Sequence, residues 1–209
     1  MNAVAGIVLA GGASRRMGEP KAGLAHAGRT FLARVVGALR DGGIADVIIV
    51  SGHAHDAVLA ARPPGDLTEV VQNPHPDRGQ LSSLKVALGA LRPRRPRPDA
   101  ALVALVDHPA ISAATVHHLV DAWLAVRPAV AAGPAPAIVV PTYGGRRGHP
   151  VLFAASVWAE LLATPDEDGA RAVVRAHPSR VLEVAVDDPG VRVDVDTPED
   201  FRRLTAGAT

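Results

Sequence analysis

"VAGIVLAGGASRRMGEPK", Val4 to Lys21, sets an apolar run against a loop that holds two adjacent glycines, two adjacent arginines and a lysine. The run from Val4 to Leu9 is aliphatic without polar interruption, the pattern of a strand covered on both faces in a parallel sheet. In an open α/β sheet, ligands sit beyond the carboxyl ends of the strands, and this loop lies at that end of the first strand. Gly11 and Gly12 leave the backbone bare for close approach, and exposed amides in such a loop bind phosphate oxygens. Arg15, Arg16 and Lys21 add positive charge, the guanidinium suited to two-point contacts and the ammonium acting as a mobile point charge. Two known phosphate loops are excluded. The Walker pattern needs Gly-Lys-Ser/Thr, whereas Gly18 is followed by Glu19-Pro20-Lys21, and the dinucleotide spacing G-x-G-x-x-G is missing.

The rest of the composition agrees with such a loop on an aliphatic sheet. The 209 residues suit one α/β domain over residues 1–209. Hydrophobic residues make up 48% and aromatic residues 3%, so Ala, Val, Leu and Ile must build the core. A net charge of +1 is not that of a nucleic-acid coat, so an anionic ligand is expected at a local cluster. The absence of cysteine excludes disulfides and thiolate-zinc sites and fits a reducing compartment. The start "MNAVAGIVLAGG" has no basic leader and too short an apolar stretch to span a bilayer. The expectation is a cytoplasmic protein with neither nucleic acid nor membrane as partner.

Apolar runs alternate with helical patterns, which predicts an α/β fold with a mostly parallel sheet. Strands are expected over Val4 to Leu9, Val47 to Val50, Glu69 to Gln72 and Ala101 to Val106. Helices are expected to begin at Thr30, at Ser82 and at Ser112, the last running to about Val126. "RPRRPRP", Arg92 to Pro98, and "RPAVAAGPAPA" read as exposed connections. "IVVPTYGGRRGHPVLF" reads as two strands about a glycine turn, followed by a helix from Ala170 to His177 and a strand near Val181 to Val186. Thr197-Pro198-Glu199 then starts a last helix, with threonine as cap and proline in first position.

Three further patches carry chemistry. Asn73 could hydrogen-bond a base edge, while Gly79, Ser82 and Ser83 would present backbone and hydroxyl groups at a helix amino end; the same residues also suit an ordinary capped helix. Asp107 ends the run "ALVALVD" before Pro109, where it offers a hard oxygen ligand or caps the next helix. Asp194 and Asp196 share one side of a strand by period-two spacing, with Val195 opposite, and such a pair needs a cation, an arginine or water. His149, within Gly148-His149-Pro150, sits on a shaped polar lip.

"LAGGASRRMGEPK" resembles the signature loop of nucleotidyltransferases that join a nucleotide to a phosphorylated acceptor, nearest to the branch acting on molybdenum cofactor, and within it to the cytidylyltransferases. The resemblance implies a Rossmann-like three-layer sandwich and magnesium. In that family the loop, here Leu9, Ala10, Gly11, Gly12 and Arg15, wraps the nucleotide, and the phosphate contacts fall on Arg16 and Lys21. Asp107 and Asp196 would hold the metal, with Asp194 as the other candidate. Asn73, Gly79, Ser82 and Ser83 would surround base and ribose. Gly148, His149, Pro150 and Arg171 would meet the acceptor. The implied partners are CTP or GTP, molybdopterin or a similar phosphorylated acceptor, and a molybdoenzyme or its chaperone. Other readings are a different acceptor, such as a sugar phosphate or phospholactate, and a carrier that binds without turnover. The sequence departs from the branch in three places. Gly11 is typical of guanylyltransferases, Gln80 replaces a common methionine, and Asp166-Glu167 replaces Gly-Asp before Gly169-Ala170-Arg171. No chemistry is assigned to His108.

Overall fold

The first strand, β1 (Val4–Ala10), is buried along its whole length in the interior of the sheet. In the computed structural model, which describes residues 4–132 and 135–206, it is followed by a short ribbon of β2 (Ala25–His26) and β3 (Arg29–Thr30) and by α1 (Phe31–Asp41). Residues 1–3, where the leaderless start was read, and 133–134, in the second proposed connection, lie outside the described residues. Thr30 caps α1 as expected, its Oγ1 accepting from the Ala33 amide at 3.1 Å. β4 (Val47–Ser51), α2 (His55–Ala60) and β5 (Glu69–Gln72) come next, then α3 (Gln80–Leu91), β6 (Ala100–Leu105) and α4 (Ala113–Ala132). The chain continues through β7 (Ile138–Tyr143), β8 (Arg146–Arg147), β9 (Val151–Ala154), α5 (Trp158–Ala163) and α6 (Ala170–Ala176), and closes with β10 (Val181–Ala185) and α7 (Pro198–Ala206).

The strand order is β10-β7-β9-β6-β1-β4-β5, with β8 paired to β7. β1, β4, β5 and β6 are parallel, as are β7 and β10, while β9 runs against β6 and β7. This is the expected α/β architecture with a mostly parallel central sheet. α1 packs on α4 and α3 on α5, and both α1 and α3 lie on β1 and β4, so helices cover the sheet in layers. From β1 the chain moves out to β4 and β5, then crosses back to β6 on the other side of β1. The carboxyl ends of β1 and β6 therefore flank the point where the winding reverses, the crevice in which open α/β sheets bind ligands.

Some boundaries differ from the sequence reading. α3 starts at Gln80, and Ser82 lies inside its first turn, where its hydroxyl donates back to the Gly79 carbonyl at 2.7 Å. α4 is capped by Ser112, whose Oγ accepts from the Thr115 amide at 3.1 Å, but it runs past Pro128 to Ala132 rather than ending near Val126. A proline removes one hydrogen bond from a helix, and here the helix continues beyond that loss. The "VDVD" segment is not a strand. It follows a 3-10 turn over Pro189–Arg192, and the Val195 amide donates to the Asp107 carbonyl at 2.8 Å. Val195 is fully buried and Asp194 exposed, so sides still alternate without a ladder.

That returning segment is anchored by Asp188. Its Oδ2 accepts from the Ser112 amide (2.9 Å) and the Thr115 hydroxyl (2.7 Å), and its Oδ1 accepts from the Gly190 amide (2.8 Å). Burial pushes its carboxyl up, but the bonds from Thr115 and Ser112 outweigh burial and hold it below the usual carboxylate range. Asp188→Ala is expected to cost roughly 2–4 kcal/mol, because buried donors lose their acceptor. The folded-state value is depressed, so this contribution is present above about pH 4 and is lost as pH falls through the folded value. Urea denaturation at pH 7 and in the acid limb checks both statements: the gap between wild type and Asp188→Ala should shrink below about pH 4.

Candidate active site

A cleft of about 290 Å³ opens at the carboxyl ends of β1 and β6, lined by Leu9, Ala10, Gly11, Gly12, Arg15 and Arg16 from the first loop. This loop is shaped by a turn in which the amides of Met17 and Gly18 both donate to the Ser14 carbonyl, at 3.0 and 3.2 Å. Met17 is buried and anchors the turn, leaving the arginines at the mouth. Ser14 Oγ accepts from the Lys21 amide at 3.2 Å, which sets the lysine at the start of a 3-10 turn over Lys21–Gly23.

The Lys21 side chain is 9% exposed, and its ammonium donates to Asp107 Oδ2 at 3.2 Å and to Asp196 Oδ1 at 2.5 Å. Arg16 Nη2 donates to the other oxygen of Asp196 at 2.6 Å. Residues distant in the chain thus meet around one ammonium. The Lys21 hydrogen bond, followed by its charge and that of Arg16, holds the Asp196 carboxyl below the usual carboxylate range against the opposing effect of burial. Both carboxylate side chains keep 28% exposure and face the cleft. Asp194, the other sequence candidate, is exposed and does not line the cleft.

Two carboxylates already gathered on one cation are oxygen donors of the kind magnesium takes, since that ion is held by one or two carboxylates with substrate phosphates completing its shell. Among the described residues no cluster of three or more histidine, cysteine, aspartate or glutamate side chains could bind a metal alone. The residues present fit a metal shared with a phosphorylated substrate.

The opposite wall comes from the start of α3 and from α2. Gly79 and Ser83 line the cleft, as do Ala54, Val58, Pro76 and Gln80, which sequence reading did not select. Asn73 and Ser82 do not. Asn73 is 2% exposed; its Nδ2 donates to the hydroxyls of Ser82 (2.8 Å) and Ser83 (3.0 Å), and its Oδ1 accepts from the His75 amide (2.9 Å). Both of its amide protons are spent behind the wall, where it acts as a strut that braces α3 and does not line the cleft.

A second cavity of about 780 Å³ shares Leu9, Gly79, Gln80 and Leu105 with the first. Leu81, Leu84, Val103, Val140, Val151 and Phe153 give it apolar walls, with Gly148, His149 and Arg171 also lining it. Pro150, expected beside them, is buried and does not line it. Gly148 is required by packing: a Cβ there would lie 2.3 Å from the Val191 carbonyl oxygen. The unusual Asp166 is held between Arg78 Nε and Lys85 Nζ, both at 2.7 Å, and so ties the turn before α6 to α3 and to the turn that precedes it. Arg175, one turn after Arg171 on α6, also lines the cavity and was not selected from the sequence.

His149, which lines this cavity, and His108, the neighbour of Asp107 in the chain, have ring centroids 5.2 Å apart. Burial, then the neighbouring His108, pushes His149 down to about 4, against the opposing charge of Asp107. Burial likewise lowers His108, with Asp107 and Asp194 opposing. His149 is therefore neutral near pH 7. Among the described residues neither Nδ1 atom has a hydrogen-bond partner.

The family model described as a MobA-like NTP transferase domain matches residues 6–181, a span that includes Lys21 and Asp107 and stops before Asp196. The chain is 32% identical to nicotine blue oxidoreductase of Paenarthrobacter nicotinovorans over 203 residues, 96% of each chain. It is 39% identical to a probable molybdenum cofactor guanylyltransferase of Opitutus terrae over 113 residues, which is 54% of this chain and 52% of that one. Among solved structures, Rv0371c of Mycobacterium tuberculosis in complex with manganese superposes with a TM-score of 0.75 at 32% identity, covering 98% of this chain and 99% of that one.

Lys21→Met removes the cation that separates the two carboxylates. The expected result is a rise of the Asp196 carboxyl above its wild-type position, because its largest stabilising partner is gone; carboxyl carbon shifts followed through an acid titration by NMR check it.

Proposed function

The chain belongs to the MobA-like NTP transferase family, as a nucleotidyltransferase that takes a nucleoside triphosphate and a phosphorylated acceptor, and from that premise we propose that, as one domain over residues 1–209, it transfers CMP or GMP to the terminal phosphate of molybdopterin or its molybdenum form. The observation that carries this reading is the convergence of Asp107 and Asp196 on Lys21 at the carboxyl ends of the central strands, beside a second cavity large enough for an acceptor. The half-length relative named as a guanylyltransferase and Gly11 of the first loop favour GTP; Gly148-His149-Pro150 favours CTP.

In this reaction an acceptor phosphate oxygen attacks the α-phosphorus, a new P–O bond forms there, and the bond to the bridging oxygen of the β-phosphate breaks to release pyrophosphate. The nucleophile is already anionic, so no general base is needed. Arg16 and Lys21 bind the triphosphate and offset the charge that gathers on the departing group, so positioning and electrostatics supply the rate. Asp107 and Asp196 would hold magnesium, which when bound supplies further neutralisation of phosphate charge. Gly11, Gly12 and Arg15 wrap the nucleotide, with Gly79 and Ser83 on the facing wall. Gly148, His149 and Arg171 orient the acceptor. A neutral His149 contributes a hydrogen bond without adding charge.

One observation favours a second reading: the relative that aligns over 96% of both chains is named an oxidoreductase. Against it stands the missing dinucleotide glycine spacing in the first loop. Pyrophosphate release measured with each of four nucleoside triphosphates, with and without molybdopterin, tests the transferase and names the base, and a parallel assay of NADH and NADPH consumption tests the rival. Release is expected with CTP or GTP only when acceptor and magnesium are present. Asp107→Ala should lower kcat about 10²-fold or more with little change in the unfolding midpoint. Turnover near wild type would remove Asp107 from the mechanism.

A further inference from the structure

The proposed reaction assigns no role to the loop after β4, which forms part of the cleft wall. Three segments meet there: Gly11 and Gly12 after β1, residues 52–54 after β4, and the 3-10 turn Pro76–Arg78 that leads into Gly79. Gly52 packs so tightly that a Cβ on it would stand 2.4 Å from the Gly11 carbonyl oxygen and 2.9 Å from Pro76 Cβ. The next residue, His53, bridges the other two segments. Its Nδ1 lies 3.3 Å from the Gly11 carbonyl oxygen and its Nε2 lies 3.0 Å from Asp77 Oδ1. A carbonyl and a carboxylate oxygen are acceptors, so the ring N–H, on whichever nitrogen the tautomer places it, donates to one of these two loops while the ring packs against the other.

We propose that His53 is a positioning residue for nucleotide binding, which sets the separation between the Gly11 peptide and the turn at Pro76–Gly79 and thereby the width of the base end of the cleft. This rests on the reading above, in which Lys21 binds the triphosphate, and it puts the base against Ala54, Val58, Pro76 and Gln80, which line the same cleft. Each of the two bridged segments is a loop anchored at a strand end, and Gly52 allows them to approach without holding them. The imidazole does the holding. It acts on bound nucleotide through the two loops rather than by taking part in phosphoryl transfer, so its loss should weaken nucleotide affinity and leave the chemical step intact.

The test compares wild type, His53→Ala and Asp77→Asn, with nucleotide affinity measured by calorimetric titration of CTP and of GTP, and steady-state kinetics measured on the full chain. For the nucleotide that wild type prefers, His53→Ala should raise Kd and KM about fivefold, the size of one net hydrogen bond, with kcat within about twofold. Asp77→Asn removes the charge of the outer contact while its amide oxygen can still accept, at a side chain that is 75% exposed, so the fold survives it; a smaller rise in the same direction is expected. The double variant should be no worse than His53→Ala alone, because both changes cut one bridge. Unchanged affinity in both single variants, or a fall in kcat with affinity kept, overturns the proposal. If His53→Ala does not fold, Asp77→Asn decides alone. Wild type that binds nucleotide tightly but releases no pyrophosphate would sink the transferase reading while leaving the His53 test intact, and wild type that binds neither nucleotide sinks both.

Discussion

One ammonium holds the acidic end of the cleft together. Asp107 and Asp196 repel one another, and Lys21 offsets that repulsion by bonding both from a position that is nearly closed to solvent. Arg16 closes the outer side of Asp196. The charges balance locally, in keeping with a chain whose net charge is near zero, and a polyphosphate that enters meets two cations whose carboxylate partners are suited to a metal. The same four side chains thus serve the resting molecule as a neutral cluster and the proposed reaction as its phosphate and metal site.

The sheet makes this meeting possible. Because β1 lies between β4 and β6, the loop that carries Lys21 and the turn that carries Asp107 leave adjacent strands on the same edge. Asp196 arrives by a longer route, on an irregular segment whose Val195 amide bonds the Asp107 carbonyl and whose start is held by Asp188. Backbone contact of residue 195 with residue 107 places the neighbouring carboxylates together. The second cavity begins where the first ends, at Leu9, Gly79, Gln80 and Leu105, so a nucleotide and an acceptor occupying the two would adjoin near the acidic pair.

Much of the fold was legible because β1, β4 and β6 are aliphatic and buried along their whole length. β1, β4, β5, β6 and the caps at Thr30, Ser112 and Thr197 could be read directly; Thr197 Oγ1 accepts from the Asp200 amide at 3.2 Å, and Asp200 accepts in return from the Thr197 amide at 2.9 Å. α2, α5 and the β2-β3 ribbon were missed, being too short to show a period. Ser82 misled because a serine before an apolar run looks like a cap, whereas its hydroxyl is spent one turn into the helix. Asn73 misled for a related reason: its two functional groups suit a base edge, but they also suit two serines and an amide, and burial chose the latter. His53 left no signal at all, since a histidine in a short polar loop is common and only distance to Gly11 and Asp77 gives it a role.

From the residues alone came the α/β class, the cationic glycine loop at a strand exit, the single carboxylate ending another strand, and the resemblance to a transferase family. These are local properties: period, charge and turn chemistry operate over a few neighbouring residues and are written in order along the chain. Tertiary structure decided which of Asp194 and Asp196 faces Lys21, that Asn73 braces the wall rather than lining it, and that His53 spans two loops. Those outcomes depend on side-chain direction and on contacts between residues tens to more than a hundred positions apart, which only the packing of the helices and the return of the last segment onto the sheet determine.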